Sequence, residues 1–279
     1  MKVLVTGANG QLGYDVVEEL KFRNIEHYGA TRNDFDLCDF NMAEQFIIAY
    51  HPDVVIHCAA YTAVDKAEEE KELCRKVNAG GTENIAKICK KIDAKMLYIS
   101  TDYVFDGTKK GFYEIDDIPN PINFYGQTKL EGERVVQEIL EKYFIVRISW
   151  VFGKRGNNFV KTMLRIGKER KEISVVSDQI GSPTYTVDLA QLLVDMVQTN
   201  KYGIYHVTNE GECSWAEFAE EIFKVAGMDV KVNHITSEEY QTKTKRPKNS
   251  MMSKEDLVKN GFKTLQSWQK SIIEFIEHE

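Results

Sequence analysis

The stretch KVLVTGANGQLG, residues 2–13, decides the fold. A short apolar run ends at Gly7, and glycines recur at Gly10 and Gly13 where a strand would turn into a helix. Gly7 permits a tight turn, Gly10 lets a phosphate approach the backbone, and Gly13 lets the helix pack against the sheet. Free amides and the positive end of the helix dipole would then face a pyrophosphate. The stretch predicts dinucleotide binding; the alternative is a purely structural glycine-rich turn.

Strands and helices alternate through the first 150 residues. We predict strands at 2–7, 25–30, 53–60, 95–101 and 143–150, and helices at 11–23, 41–50, 64–91 and 124–142, the third helix either continuous or broken near Asn78. Alternation at this spacing indicates a parallel sheet covered on both faces. Right-handed crossovers make it doubly wound. The predicted fold class is therefore α/β, a doubly wound, Rossmann-type parallel sheet.

The C-terminal part is less regular. Helices are expected near 157–170, 186–200, 214–227 and 265–279, with strands near 172–177 and 203–208. We predict a dinucleotide-binding domain over 1–150 and a smaller, mostly substrate-binding lobe over 151–279, some of whose segments return to the sheet. The lobe would close a cleft at the carboxyl ends of the strands, where open α/β sheets bind ligands.

Composition excludes several classes of protein. The 279 residues carry a formal net charge of −7, which argues against a long nucleic-acid footprint. The start of the chain does not resemble a signal peptide, and no run of about 18 apolar residues predicts a membrane span. Five cysteines without ligand spacing are expected to be reduced. We therefore expect a cytoplasmic protein that binds neither nucleic acid nor a membrane.

The end of the second strand bears on the choice of cofactor. An acid at this place binds the ribose hydroxyls, whereas a base accommodates a 2′-phosphate. Here the strand ends GATRND, so Arg32 favours NADPH, while Asp34 or Asp36 could reach the ribose of NADH. Arg32 could equally be a solvated loop cation. We expect NADPH or NADH, with Arg32, Asp36 and the adjoining Leu37 among the cofactor contacts.

Two other segments are candidates for contact with the cofactor. Ala59 and Ala60 are small residues at the end of the third strand and leave room for a ribose or a pyrophosphate, with Tyr61 next to them. Small core residues would look the same. Two adjacent glycines follow Asn78 inside a helical stretch and cost about 1 kcal/mol each relative to alanine. Such a cost indicates close packing or a break, and Asn78 could order backbone near the site.

The sequence YGQTK, residues 125–129, places a tyrosine and a lysine on one helix face. A free phenol has a pKa near 10, and a nearby cation would lower it. Tyr125 could then give a proton to an oxygen while Lys129 tunes it and holds a nicotinamide ribose. The fourth strand ends in Ser-Thr-Asp, so Thr101 and Asp102 would face the same cleft. An ordinary surface pair is the alternative.

Several stretches resemble the dTDP-4-dehydrorhamnose reductase family of the extended short-chain dehydrogenase/reductase superfamily. They are GANGQLG, AAYTAVDKAE, VNAGGTENIA, STDYVFDG, RISWVFG, DQIGSPTYTVDLA and RPKNS. The resemblance implies reduction of the C4 keto group of dTDP-4-dehydro-L-rhamnose by NAD(P)H, with Thr101, Tyr125 and Lys129 as catalytic residues. It implies cofactor contacts at Gly10, Gln11, Leu12, Gly13 and Ala59–Tyr61. Thr101, Asp102, Trp150 and Arg246 would bind the substrate, the indole packing on the sugar and the guanidinium on the diphosphate.

Other members of the superfamily provide alternatives. An epimerase, a dehydratase or another sugar-nucleotide reductase could carry the same motifs, and a regulatory subunit of methionine adenosyltransferase binds a dinucleotide without catalysis. The presence of Thr101, Tyr125 and Lys129 together favours an enzyme. Some relatives use a metal ion at a dimer contact, but no carboxylate cluster is apparent, so we predict no metal. We expect a monomer or a homodimer.

Overall fold

The structure, a computed structural model, describes residues 1–240 and 242–278. The strands are β1 Lys2–Thr6, β2 Glu26–Ala30, β3 Val54–His57, β4 Lys95–Thr101, β5 Tyr143–Ile148, β6 Val151–Phe152, β7 Glu172–Val176, β8 Ile180–Gly181, β9 Thr184–Tyr185, β10 Gly203–His206, β11 Cys213–Ser214 and β12 Lys231–Ile235. The α-helices are α1 Gln11–Phe22, α2 Phe40–Tyr50, α3 Val64–Ala67, α4 Lys71–Arg75, α5 Thr82–Lys91, α6 Phe124–Ile139, α7 Phe159–Glu169, α8 Thr186–Val197, α9 Trp215–Val225, α10 Glu255–Lys259 and α11 Trp268–His278.

The main sheet has the strand order β10-β5-β4-β3-β1-β2, and every pair in it is parallel. The chain winds outward from β1 in both directions, so β1 and β3 flank the point where the strand order reverses. Ligands of open α/β sheets bind at the carboxyl ends of the strands beside such a point. The predicted doubly wound, Rossmann-type fold is confirmed.

Each face of the sheet has its own apolar core. Val3 and Val5 of β1 point to the face covered by α1 and α8, where Val16 and Leu193 are completely buried. Leu4 points to the opposite face, covered by α2, α5 and α6. A fully buried aliphatic side chain contributes roughly 1.5–3 kcal/mol. The alternation along β1 therefore fixes which helices lie on which side, and so where the loops at the strand ends open.

A third core lies in the C-terminal part. There β7 pairs with β12 in parallel, and the aromatic residues Phe152, Phe218, Phe223 and Phe275 are buried between α7, α9 and α11. β10, in contrast, adds an edge strand to the main sheet. The domain boundary at residue 150 stays a prediction.

Two local predictions differ from the structure. Of the two alternatives for 64–91 the continuous helix is wrong, because the stretch forms α3, α4, a π-helical segment over Lys76–Gly81, which contains Asn78, and α5. A Cβ on Gly81 would lie 3.1 Å from the Leu37 side chain, so close packing accounts for that glycine. The strand β12 and the helix α10 were not predicted, since both are short and amid polar residues. Across residues 1–240 and 242–278, no helix combines the length and apolarity that crossing a membrane requires.

Candidate active site

A cleft of about 890 Å³ opens at the carboxyl ends of β1 to β5. The glycine loop and the ends of β2 and β3 line one part of it, and the end of β4 with the start of α6 lines another. Trp150, Trp215 and Arg246 complete the wall on the side of the C-terminal part. The parallel sheet thus brings segments distant in sequence to one crevice.

The glycine loop leaves space for a bound group next to its backbone. Gly7 has a φ of +69°, and a Cβ built on it would lie 2.8 Å from the backbone of Ala59. A Cβ on Gly13 would lie 2.2 Å from the Gly7 carbonyl oxygen. Gly10 caps α1 without a side-chain hydrogen bond, so no side chain covers the first amides of the helix. The loop fits the pyrophosphate of a dinucleotide.

The end of β2 places Arg32, Asp36 and Leu37 in the lining of the cleft. The Arg32 side chain is 83% exposed, and its Nη2 lies 3.7 Å from Asp36 Oδ2. Hydrogen bonding from the Cys38 amide lowers the pKa of Asp36. Asp34 instead accepts hydrogen bonds from the Tyr28 hydroxyl and the Thr31 amide, both at 2.7 Å. Of the two acids considered for the ribose, Asp36 is the one on the cleft.

Ala59, Ala60 and Tyr61 form the wall after β3. Asn78, in the π-helical segment, is 1% exposed and lies behind this wall. Its Oδ1 accepts from the Tyr61 amide at 2.8 Å, and its Nδ2 donates to the Tyr61 carbonyl at 3.1 Å. Asn78 also donates to Thr128 Oγ1 on α6 at 3.1 Å. Asn78 therefore connects the wall of Ala59, Ala60 and Tyr61 to α6, the helix that carries Tyr125. Its contact with the cleft lining is through Tyr61.

Thr101, Tyr125 and Lys129 all line the same cleft. Asn123 caps α6 by accepting from the Gly126 amide at 2.8 Å, and this start places Tyr125 and Lys129 one turn apart, facing the end of β4. Lys129 is 2% exposed, with its Nζ 4.1 Å from the centroid of the Tyr98 ring. The structure brings the three predicted side chains together.

The pKa values of this group are set mainly by burial. Burial lowers the pKa of Lys129 to about 7, against the opposing charge of Glu133. Burial raises the pKa of Tyr125, the Asp102 charge raises it further, and a hydrogen bond with Thr101 lowers it. In the cleft as it stands, burial outweighs the lowering expected from Lys129. Tyr125 is therefore a protonated phenol at neutral pH, the form that can donate a proton.

Asp102 is buried beside Thr101. Its Oδ1 is 2.9 Å from Thr101 Oγ1, and its Oδ2 is 2.5 Å from Ser250 Oγ. Burial raises the pKa of Asp102 to about 6, opposed by hydrogen bonds from Ser250 and Thr101. Asp102 lines the cleft, but both of its oxygens are engaged by these hydroxyls.

Trp150, which follows β5, and Arg246, in the RPKNS segment, both line the cleft. Arg246 Nη2 donates to Asp65 at 3.2 Å, while its buried Nε has no partner among the described residues. Trp150 stacks on Trp215. A guanidinium with an unused donor and a pair of indoles suit an anionic ligand with a flat or apolar part.

Sequence reasoning missed three contributors to this site. Trp215 is the first residue of α9, between the capping-box residues Ser214 and Glu217, and the predicted helix near 214–227 included it without giving it a role at the site. Ser250 lay in the RPKNS stretch without an assigned role. Glu133, one turn beyond Lys129, is fully buried against Arg147, and nothing in the sequence pairs these two residues.

No grouping of three or more metal-ligating side chains occurs in the described ranges 1–240 and 242–278. The five cysteines are unpaired. The cleft presents a phenol, an amine, hydroxyls and a carboxyl group beside a loop that fits a dinucleotide.

Comparison with known proteins agrees with this arrangement. The family described as the RmlD substrate binding domain matches residues 1–279. The spore coat polysaccharide biosynthesis protein SpsK of Bacillus subtilis is 38% identical over 276 residues, which span 99% of this chain and 97% of that protein. A dTDP-4-dehydrorhamnose reductase of Aggregatibacter actinomycetemcomitans is 42% identical over 271 residues, 92% of this chain and 91% of the relative.

A solved structure shares the fold over its whole length. The crystal structure of dTDP-4-dehydrorhamnose reductase from Bacillus anthracis, in complex with NADP, superposes with a TM-score of 0.97 at 46% identity. The match covers 100% of both chains. The likeness therefore includes the glycine loop, the α6 helix and the C-terminal part that closes the cleft.

Proposed function

The chain belongs to the RmlD substrate binding domain family, and from this premise we propose that it is a dTDP-4-dehydrorhamnose reductase. It uses NADPH or NADH to reduce the C4 keto group of dTDP-4-dehydro-L-rhamnose to the alcohol of dTDP-L-rhamnose. The observation that carries the proposal is the meeting of Thr101, Tyr125 and Lys129 in one cleft with the glycine loop.

The loop, Arg32 and Asp36 would hold the dinucleotide, together with the wall from Ala59 to Tyr61 that lines the same cleft. When bound, this cofactor supplies a hydride from its nicotinamide ring to the keto carbon. Tyr125, kept protonated by its burial, donates its phenolic proton to the C4 oxygen as negative charge develops there.

Lys129 stabilises the phenolate that Tyr125 leaves behind. Its ammonium lies one helical turn from the phenol in a buried setting, where a charge acts strongly. Positioned proton transfer of this kind typically contributes 10²–10⁴-fold, as an order-of-magnitude estimate. Tyr125→Phe should therefore lose roughly that much activity while still binding the cofactor.

The C-terminal part holds the rest of the substrate. Trp150 and Trp215 offer aromatic surface to the sugar, and Arg246 offers its guanidinium to the diphosphate. Asp65, which now pairs with Arg246, keeps that side chain directed at the cleft. These assignments explain why a nucleotide-linked keto sugar, rather than a small ketone, suits the cleft.

One assay tests the function. Purified protein is mixed with NADPH or NADH and with a set of nucleotide-linked keto sugars, and absorbance is followed at the reduced nicotinamide band. Cofactor oxidation that depends on the dTDP-4-keto sugar supports the proposal, and loss of it in Tyr125→Phe supports the assigned proton donor. Full activity in Tyr125→Phe would remove that assignment.

Two outcomes would point to the alternatives. An epimerase retains its cofactor through the catalytic cycle, so a nucleotide that survives dialysis, with no net oxidation, would favour that reaction. A regulatory subunit would bind the dinucleotide without turnover of any sugar. We propose a monomer or a homodimer acting in the cytoplasm, and light scattering on the purified protein distinguishes the two assemblies.

A further inference from the structure

The Thr101 hydroxyl has a single proton, and more than one neighbouring oxygen can accept it. Its Oγ1 accepts from the Tyr103 amide at 3.2 Å and lies 2.9 Å from Asp102 Oδ1. It also hydrogen-bonds Tyr125. A hydroxyl donates once and accepts through two lone pairs. If the proton points at Asp102, it is not available for a substrate oxygen in the cleft.

The ionisation of Asp102 decides this direction. An ionised carboxylate only accepts, so Thr101 must donate to it. A neutral carboxyl group with its proton on Oδ1 donates to Thr101 Oγ1 instead. The second lone pair of Thr101 is already used by the Tyr103 amide, so its own proton then points to the cleft side, toward Tyr125 or a substrate oxygen.

Ser250 determines which oxygen of Asp102 carries the proton. Its Oγ is 2.5 Å from Oδ2 and within donating reach. An Oδ2 that accepts from Ser250 leaves Oδ1 as the oxygen to be protonated, on the side of Thr101. Asp102 and Ser250 are 3% exposed each, so water does not replace either contact.

We propose that Asp102, held by Ser250, is the positioning residue that aims the Thr101 proton at the C4 keto oxygen when its carboxyl group is neutral, and withdraws that proton when ionised. This inference rests on the proposed reductase function. It gives the RPKNS segment a role, because Ser250 belongs to it, and it changes the role of Asp102 from substrate ligand to orienting group.

Several charged groups surround this pair and share its titration range. Tyr103 and Tyr125 both respond to the Asp102 charge. Arg246 and Asp65 act on Tyr103 from across the cleft with opposite signs. Lys129 lines the same cleft, with its own pKa lowered to about 7 by burial.

Burial raises the pKa of Asp102 to about 6, so its carboxyl group changes ionisation within the pH range in which activity can be measured. The neutral form is present below that pH and is lost as pH rises through it. Reduction should therefore weaken with rising pH through this titration. Lys129 loses its charge in a neighbouring pH range, so the pH profile of the wild type alone does not separate the ionisation of Asp102 from that of Lys129.

The variant Asp102→Asn separates the effect of Asp102 ionisation from that of Lys129 ionisation. Its amide oxygen can accept from Ser250 while its NH₂ donates to Thr101, which fixes the arrangement of the neutral acid at every pH. We expect the kcat/KM of the variant for keto-sugar reduction to lack the decline that follows ionisation of Asp102 in the wild type. The ratio of variant to wild-type kcat/KM should then rise by about tenfold per pH unit above the Asp102 titration, as for a single ionisation. Loss of Lys129 charge affects both proteins and cancels in the ratio.

Ser250→Ala removes a donor to the carboxylate, which favours the neutral form. Its profile should shift to higher pH, whereas Ser253→Ala, three residues beyond Ser250 and accepting from the Glu255 amide instead, should not shift it. A flat ratio for Asp102→Asn, or an unmoved profile for Ser250→Ala, overturns the proposal. Asp102→Asn is checked for folding by circular dichroism and for cofactor binding by fluorescence.

A second measurement does not need turnover. Infrared difference spectra of the wild type against Asp102→Asn should show a protonated carboxyl band that disappears as pH rises and that persists to higher pH in Ser250→Ala. Absence of the band throughout the acid range contradicts the proposal. If the wild type reduces no keto sugar at any pH, the proposed function fails, and this titration still reports on Asp102 by itself.

Discussion

The indole of Trp150 stacks on that of Trp215, with ring centroids 3.7 Å apart and planes inclined by 14°. Trp150 has a φ of +47°, in the left-handed region that costs a non-glycine residue roughly 1–2 kcal/mol. A Cβ on Gly181 would lie 2.9 Å from the Trp150 ring, so the ring packs directly against this glycine. Residues from the end of β5 and the start of α9 are thus fixed together at the wall of the cleft.

We predict that Trp215→Ala raises KM for the keto sugar nucleotide by about tenfold, with a smaller effect on kcat. Loss of one aromatic partner typically costs 0.5–1.5 kcal/mol beyond area, as an estimate from paired substitutions. Steady-state kinetics at saturating NADPH measure it. Trp215→Phe, which keeps a stacking ring, is the control, and an unchanged KM in the alanine variant would place Trp215 outside the substrate site.

Gly13→Ala should abolish binding of NADPH and lower stability, because the new Cβ would lie 2.2 Å from the Gly7 carbonyl oxygen. Gly80→Ala is the matched control, since a Cβ there meets nothing within 4 Å. Alanine in a helical segment is favoured over glycine by about 1 kcal/mol, so the control should be neutral or stabilising. Calorimetric titration with NADPH measures both, and normal binding by Gly13→Ala would contradict the tight packing of the loop.

Arg32→Ala should weaken NADPH binding by about tenfold and leave NADH binding nearly unchanged. The exposed guanidinium is free to leave Asp36, at 3.7 Å, for a 2′-phosphate, and such a charge-assisted hydrogen bond is among the stronger ones. Dissociation constants for both cofactors test this. Equal losses for the two would indicate that Arg32 touches the shared part of the dinucleotide, and no loss would make it a solvated cation.

The structural features that depend on local sequence patterns could be predicted from the sequence. The glycine loop, the alternation of strands and helices, and the spacing of Tyr125 and Lys129 each depend on residues within one or two turns of each other. The fold class and the meeting of strand ends at one cleft follow from these patterns. Asn78 was singled out by its adjacent glycines, although its contacts run through Tyr61.

Contacts between distant segments could not be predicted in the same way. Ser250 reaches Asp102 across 148 positions of sequence, and Trp215, at the start of α9, stacks on Trp150, which follows β5. The raised pKa of Tyr125 likewise depends on how many atoms bury it, which spacing does not report. These features depend on tertiary packing, and tertiary packing overrides local preference.

Lys129 should make the protein less stable at neutral pH than it is at alkaline pH. Burial lowers its native pKa from 10.5 to about 7. Between these values the unfolded chain binds a proton that the native state does not, so the free energy of unfolding rises with pH. At and below pH 7 the buried cation carries its full penalty, a few kcal/mol at about 1.4 kcal/mol per pKa unit.

Lys129→Met removes this penalty together with the catalytic amine. We expect the variant to be inactive yet more stable than the wild type at pH 6–7, with the difference shrinking toward pH 10. Urea denaturation at several pH values measures it, and Lys142→Met, at an exposed lysine paired with Asp93, is the control. A variant that is less stable than the wild type at pH 6 would show that Lys129 is structurally compensated.

Two glutamates of α6 should differ sharply in their contribution to stability. Glu133 is fully buried and makes a bidentate pair with Arg147, itself 2% exposed, and it accepts from Ser100 Oγ at 2.5 Å. Glu131 makes a bidentate pair with Arg75 on the surface. Removing one partner of a buried pair leaves an uncompensated charge and costs about 3–5 kcal/mol. Exposed pairs contribute about 0–1 kcal/mol.

Glu133→Ala should therefore lower the free energy of unfolding by several kcal/mol and Glu131→Ala by less than about 1 kcal/mol, as measured by urea denaturation. The double variant Glu133→Leu with Arg147→Met should recover most of the loss, because an apolar pair leaves no buried charge unpaired. If the double variant is as unstable as Glu133→Ala, the cost comes from the lost hydrogen bond of Ser100 rather than from the orphaned guanidinium. Equal effects of the two single alanine substitutions would contradict the assignment of a buried ion pair between Glu133 and Arg147.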